Sequence, residues 1–246
     1  MAAAPQTTLI ELVNGVAQSV GHPKTTDVSS SQDESILRIA YYANIACTEL
    51  SYMTNWQWLS RTAAITIKAN YYNEPETAFD LPADYHAMVD DTHWDRNTQL
   101  PAIGPISPQD WQWMVVRRAK VTTRFLWRIR GGQLWIKSPP VDPQPLVFEY
   151  LKKNWAMDGA TNLPKQLMEA NSDYHIFAWN LVVLLTRAKW LENEGYDSSA
   201  AKADFQKAME FYTGGDKGAT ALSLVPGVGY PYINAVRNIP PTGFGA

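Results

Sequence analysis

Residues 124–137 read RFLWRIRGGQLWIK, two runs in which large apolar and basic side chains alternate on either side of Gly131-Gly132. A two-residue hairpin turn of type I′ needs positive φ at both central positions, and paired glycines adopt it without steric cost. With those glycines as the loop, Ile129 faces Leu134 and Trp127 faces Ile136 on one side of the ribbon, while Arg128 faces Trp135 on the other, because strand side chains alternate with a period of two. The reading predicts one apolar face turned to a core and one basic face, Arg124, Arg128 and Arg130 with Trp135, turned away from it. The Arg128 guanidinium is expected to stack on the Trp135 ring. The run at 145–152 is expected to join this hairpin as a third strand.

Strand character extends outward over about residues 62–155, which are rich in β-branched and aromatic residues with prolines at the turns. On either side the period becomes helical. Thr7 or Thr8 can cap a helix reaching about Gly21, with Leu9, Leu12, Val13, Val16 and Val20 on one face. Ser31 or Asp33 opens a second helix reaching about Trp58, striped by Ile36, Ile39, Ala43, Ala46, Leu50 and Met53. Ser172 or Asp173 is expected to start a third, carrying Ile176, Trp179, Leu181, Val183, Leu184 and Trp190. Asp197 or Ser198 starts a fourth, carrying Ala201, Phe205, Ala208, Met209 and Tyr212. Neither pair can bury its stripe alone. The expected fold is therefore α+β: a four-helix bundle made by residues 1–60 and 156–212, an inserted antiparallel β module at 61–155, and an extended C-terminal arm at 213–246. The arm holds Leu222, Leu224, Val225, Tyr230, Tyr232, Ile233 and Phe244, too much apolar surface for a solvated tail. Pro226, Pro231, Pro240 and Pro241 keep it from continuing a helix, so it is expected to need another molecule's surface.

Composition narrows the function. The 246 residues carry a net charge of −3, which gives no general attraction to nucleic acid, and no stretch approaches the ~20 apolar residues of a membrane span. The single cysteine, Cys47, lies in the second helix's apolar pattern and reads as a buried thiol. The start of the chain lacks a basic, then apolar, leader, so folding in the cytoplasm is expected. None of the four histidines has the spacing of a zinc site, and the acidic cluster Asp90, Asp91, His93 and Asp95 reads as turn capping rather than metal binding. No phosphate-binding glycine loop or nucleophile elbow is present. No catalytic, metal or cofactor residue is therefore expected. Two rival readings keep a concrete basis. Glu74 and Glu76 could be the paired carboxylates of a cell-wall hydrolase. Arg117, Arg118, Lys120, Arg124, Arg128, Arg130 and Lys137, with no acidic residue among them, could contact nucleic acid.

A set of motifs occurs in a telling order: Leu81-Pro82-Ala83-Asp84, Trp94-Asp95-Arg96, Gly104-Pro105-Ile106-Ser107-Pro108, the hairpin from Arg128 to Trp135, and Phe148 to Trp155. Taken together they resemble the head-to-tail adaptor family of tailed bacteriophages, in the short-tailed branch also called tail tubular protein A, over about residues 30–212. The loop SPPVDPQP after Lys137 is denser in proline than the family pattern. The resemblance implies a non-enzymatic virion protein of the head–tail interface. It would form a ring of about twelve copies on the portal protein, seat a tail nozzle or tail fibre protein, and let genomic DNA pass without sequence-specific binding. The arm would then dock on the portal or a neighbouring subunit. The channel wall would come from helices, the second carrying Asp33, Glu34 and Glu49 against Arg38, rather than from the basic hairpin. The stretch 93–114 becomes a structural corner: Gly104-Pro105 turns the chain, Ser107 caps a helix whose first residue is Pro108, and Trp94 and Trp111 pack that helix across the strands, with Asp95 and Arg96 in the preceding turn.

Overall fold

The computed structural model describes residues 7–70, 76–116, 124–137 and 139–217. It begins with β1 (Thr7–Thr8), whose second residue caps α1 (Leu9–Ser19). The Thr8 hydroxyl accepts from the Glu11 amide and the Glu11 carboxylate accepts from the Thr8 amide, a reciprocal box that satisfies two otherwise unpaired donors. Asp33 caps α2 (Glu34–Met53) by accepting from the Ser35 amide. That helix ends at Met53, short of the expected Trp58, although apolar spacing continues. The reason is Trp56, which folds back so that its indole N–H donates to the Leu50 carbonyl at 2.6 Å while its ring fills the core from a turn.

The third long helix also differs from expectation. Asp173 does not cap it. Its buried carboxylate accepts the amides of Glu169 and Ala170 at 2.7 Å each and pairs with Lys165, which holds its pKa below the usual carboxylate range despite burial. The next residues form a strand, β11 (Tyr174–His175), in a small antiparallel sheet ordered β1, β11, β9 (Ala156–Met157), β10 (Pro164–Lys165). The helix, α4 (Trp179–Asn193), starts only after it, with Ala178 at the cap position and no side-chain cap. Asp197 then accepts from the Ser199 amide at the start of α5 (Ser199–Lys217). The helix runs through Gly214 and Gly215, so the segment after it begins at residue 218 rather than 213, outside the described residues.

Helices α1, α2 and α4 pack on one another and α5 packs along α4, its Phe205, Ala208, Met209 and Tyr212 against the same cluster, so the four helices pack together as the expected helical layer. Arg38 with Glu194 and Lys189 with Glu49 fasten α2 antiparallel to α4. Their common cluster includes Leu12, Val16, Ile39, Leu50, Trp56, Phe177 and Leu181, each contributing about 1.5 to 3 kcal/mol on burial. Cys47 is buried in it, and desolvation pushes its thiol pKa well up, which makes it inert.

The strand-rich middle forms two sheets. One is ordered β2 (Ser60–Ile67), β8 (Gln144–Lys152), β4 (Tyr85–Met88), with β5 (Trp94–Asp95) also on β8. The other is ordered β3 (Glu76–Asp80), β7 (Gln133–Lys137), β6 (Leu126–Arg130). The β6–β7 hairpin has the expected register, Trp127 with Ile136, Arg128 with Trp135 and Ile129 with Leu134, and its turn glycines have φ of 58° and 75°. Its third strand is β3 and not the 145–152 run, which belongs to the opposing sheet. The sheets share one apolar cluster: Ile67, Trp127, Leu134, Ile136, Leu146, Phe148 and Tyr150. The helix α3 (Pro108–Val116) is the remaining regular element.

Candidate functional site

Ser107 opens α3 as its residue types require. Its hydroxyl accepts the Asp110 amide at 3.1 Å and donates to the Asp110 carboxylate at 2.7 Å, and Pro108 occupies the first helical position, where an amide hydrogen has no use. Before it, the chain passes close to the hairpin: the Ile106 amide donates to the Trp127 carbonyl, and a Cβ at Gly104 would stand 2.5 Å from that carbonyl oxygen and 2.7 Å from the Trp127 ring. Only glycine fits before Pro105. One turn into α3, Trp111 is buried, donates from its indole to Glu76 on β3 at 2.7 Å, and carries the Arg128 guanidinium 5.5 Å from its ring centre.

That contact corrects the expected stacking. Arg128 and Trp135 are cross-strand partners, but Arg128 stacks on Trp111, while Trp135 receives Arg130 at 5.4 Å and donates its indole N–H to the Arg130 carbonyl. The hairpin face expected to be basic and outward is thus roofed by α3. Lys137, opposite Glu76 in the register, is buried there and its pKa is pushed down by desolvation, which the Glu76 charge opposes. Arg124 is exposed at the start of the hairpin. Arg117, Arg118 and Lys120 lie outside the described residues.

The other half of the corner attaches to the opposite sheet. Trp94 and Asp95 pair with Val147 and Leu146 of β8, and the Arg96 amide donates to the Pro145 carbonyl. Asp95 is buried and accepts from the Asn97 amide and the Thr98 hydroxyl, and with those partners it serves a turn rather than a metal ion. Ile103 then exchanges backbone hydrogen bonds with Phe125 and Trp127 next to β6. Residues 93–107 are a strap lacing the two sheets together, with Trp94 on one and Trp111 on the other. His93 lies between the layers, its ring centre 4.0 Å from Trp127 and 5.4 Å from Phe148, and burial pushes its pKa down to about 4.

Of the residues behind the two rival readings, Glu74 and Arg117, Arg118 and Lys120 lie outside the described residues. Glu76 is engaged with Trp111. Among the described residues no three His, Cys, Asp or Glu side chains are grouped to hold a metal ion, and no helix is long and apolar enough to cross a membrane. The acids of α2 form pairs within the helical layer, Glu34 with Arg38 and Glu49 with Lys189.

The surface also exposes several large apolar side chains. Along the outer face of α2, Leu37, Tyr41 and Tyr52 are exposed, Tyr41 by 62 %, and on α5 Phe211 is 76 % exposed. Composition alone did not separate these from core positions, because they fall beside the buried stripe at helical spacing. The expected interface residues Leu222, Leu224, Val225, Tyr230, Tyr232, Ile233 and Phe244 lie outside the described residues.

A family model, the SU10 adaptor protein, matches residues 7–227. It covers the helical layer and both sheets together. No curated protein matches the chain.

Proposed function

Since the chain belongs to the SU10 adaptor protein family, whose members are phage head-to-tail adaptors, we propose that it acts as a ring attached to the portal of the filled capsid. The ring lengthens the DNA channel and seats the next tail component. The family is structural rather than enzymatic, and its place is the virion. The observation that carries this reading is the extent of the match, 7–227, which spans the helices, the strap and both sheets instead of one motif.

The surface is consistent with it. A closed ring of about twelve copies is built from heterologous contacts, which need two different faces on each subunit. Because α2 and α5 both pack on α4, the exposed side chains Leu37, Tyr41 and Tyr52 belong to one helix of the layer and Phe211 to another. With Asp33 at its cap, α2 carries three acids against Arg38, a net −3 + 1 = −2, and Glu34 and Glu49 are paired within the helical layer, which suits a channel wall that does not hold a polyanion. In this scheme residues 1–60 and 156–217 form the ring's helical unit and 61–155 an inserted β unit facing a tail nozzle or fibre protein. Residues 218–246 anchor the ring on the portal or on a neighbouring subunit.

Electron microscopy of the purified full chain with and without its portal tests the reading. Rings seated coaxially on the portal are expected; a chain that stays monomeric and unattached with the portal present refutes it. Truncation after Lys217 leaves every described helix whole and is expected to abolish attachment. Normal attachment of that truncated chain refutes the anchoring role of the arm.

A further inference from the structure

The face of α1 opposite the core is a groove. Glu11, Asn14, Gly15 and Gln18 form its floor, Lys24 stands at its rim, and Trp179, the first residue of α4, closes one side of a cleft of about 550 Å³. Gly15 makes the groove possible, since a Cβ there would lie 2.9 Å from the Trp179 ring. Some of its polar groups are occupied: Glu11 by the Thr8 amide, and the Asn14 side chain by both backbone groups of Thr25. Others are not. The Trp179 indole N–H and the Gln18 side-chain amide have no partner among the described residues, nor does the Trp179 backbone N–H, since α4 begins without a side-chain cap. Trp179 is 41 % exposed.

An exposed aromatic ring beside unpaired N–H donors suits an extended, proline-containing segment, whose prolines pack on the ring and whose carbonyls take the donors. This chain carries such a segment: residues 226–232 read PGVGYPY. Its point of departure is also suitable. Helix α5 turns back along α4 after a short connection, with Lys202 paired to Glu192 near the turn. Its 19 residues outrun the 15 of α4, so the chain leaves α5 at the end of the layer where α4 begins. The stretch 218–225 can span roughly 27 Å when extended, enough to bring Pro226 onto the groove.

We infer that the groove between α1 and Trp179 holds residues 226–232 of the same chain before assembly. The apolar arm is thereby shielded until the portal or a neighbouring subunit displaces it. This rests on the proposed role of the arm as an anchor. Paired cysteines test it in the full chain, Gln18→Cys with Val228→Cys; the native Cys47 is buried and does not compete. An intramolecular disulfide is expected, with its yield cut at least about fivefold by Trp179→Ala and, independently, by Pro226→Ala with Pro231→Ala, which alter no described part of the fold. No disulfide, a yield unchanged by both sets of variants, or disulfides formed only between copies overturns the inference. The two readings fail separately. A disulfide that forms while truncation after Lys217 leaves portal attachment intact refutes the anchor and keeps the groove, and lost attachment with no disulfide does the reverse.

Discussion

Two buried histidines make the fold acid-labile above the range where carboxylates titrate. His93 is sandwiched by Trp127 and Phe148, and His175 lies in the small sheet beside the helical layer. Burial pushes each pKa from 6.5 down to about 4, against opposing contributions from Asp91 and from the Phe177 backbone. Neither His93 Nε2 nor either nitrogen of His175 has a well-formed hydrogen bond among the described residues, so for a proton added there the loss of water outweighs what Asp91 or the Phe177 backbone returns. The unfolded chain binds these protons below its ordinary histidine pKa and the folded chain does not until about 4, so stability is lost as pH falls through that window. At about pH 5 each histidine removes roughly 2 kcal/mol, and the pair roughly 4 kcal/mol, a large part of the 5 to 15 kcal/mol typical of a domain. Carboxylates with lowered pKa, such as Asp158, Asp173 and Asp197, act with the same sign but only at lower pH. Urea unfolding followed by tryptophan fluorescence at about pH 7 and about pH 5 measures the loss, and His93→Phe, which keeps a ring between Trp127 and Phe148, should remove about half of it. If the variant and the parent lose the same stability over that interval, His93 is not the buried neutral base described here.

Three further substitutions probe the packing. Asp173→Asn keeps the shape but removes the buried charge partner of Lys165, which keeps only the longer pair to Glu169, and a loss of about 1.5 to 3 kcal/mol is expected in chemical unfolding; a loss under about 0.5 kcal/mol contradicts the buried pairing. Gly159→Ala would drive a Cβ into the Ser172 carbonyl, backbone that cannot move aside, so a loss of at least about 1 to 3 kcal/mol is expected, and a neutral change shows that the loops are not in contact. Trp111→Phe removes the donor to Glu76 and should cost about 1.5 to 3 kcal/mol, with an unchanged unfolding midpoint as the refuting result.

The elements readable in the sequence are those fixed by neighbours in the chain. Gly131-Gly132 determines the hairpin register by backbone conformation alone, and Thr8, Asp33, Ser107 and Asp197 announce helices because the groups they satisfy lie within three residues. Failures came where a local pattern had a distant partner. Asp173 before an apolar run has the signature of a cap, yet its carboxylate is held by Lys165 and the amides of 169 and 170, and the helix waits until Trp179. Arg128 faces Trp135 across the ribbon, but the ring that receives it comes from α3, whose position no alternation pattern encodes. The 145–152 run is a strand as read, while its assignment to β2 rather than to the hairpin depends on long-range pairing. For the candidate site, the strap motif was legible because prolines and a cap define it locally. The groove beside Trp179 was not, since it exists only where Gly15 and Trp179 meet across a sequence separation of 164, 179 − 15.

The same distinction explains how the two apolar clusters come to act together. In β8, Phe148 and Tyr150 face the cluster between the sheets, whereas Leu151 of the same strand, followed by Trp155 and Ala156 just beyond it, belongs to the cluster under the helices. A single strand therefore contributes side chains to both, and its backbone fixes the connection: the Lys152 amide donates to the Leu59 carbonyl at the end of the α2 turn, and the Lys153 amide to the Asp84 carbonyl before β4. Tyr150 strengthens the joint by donating its hydroxyl to Asp84, and burial with that bond raises its pKa to about 12, so the donor stays protonated at any physiological pH. A force applied to the β layer by a seated tail component would reach the helical layer through this strand rather than through a flexible linker. That rigidity suits the proposed role of a ring seated between a portal and a tail component.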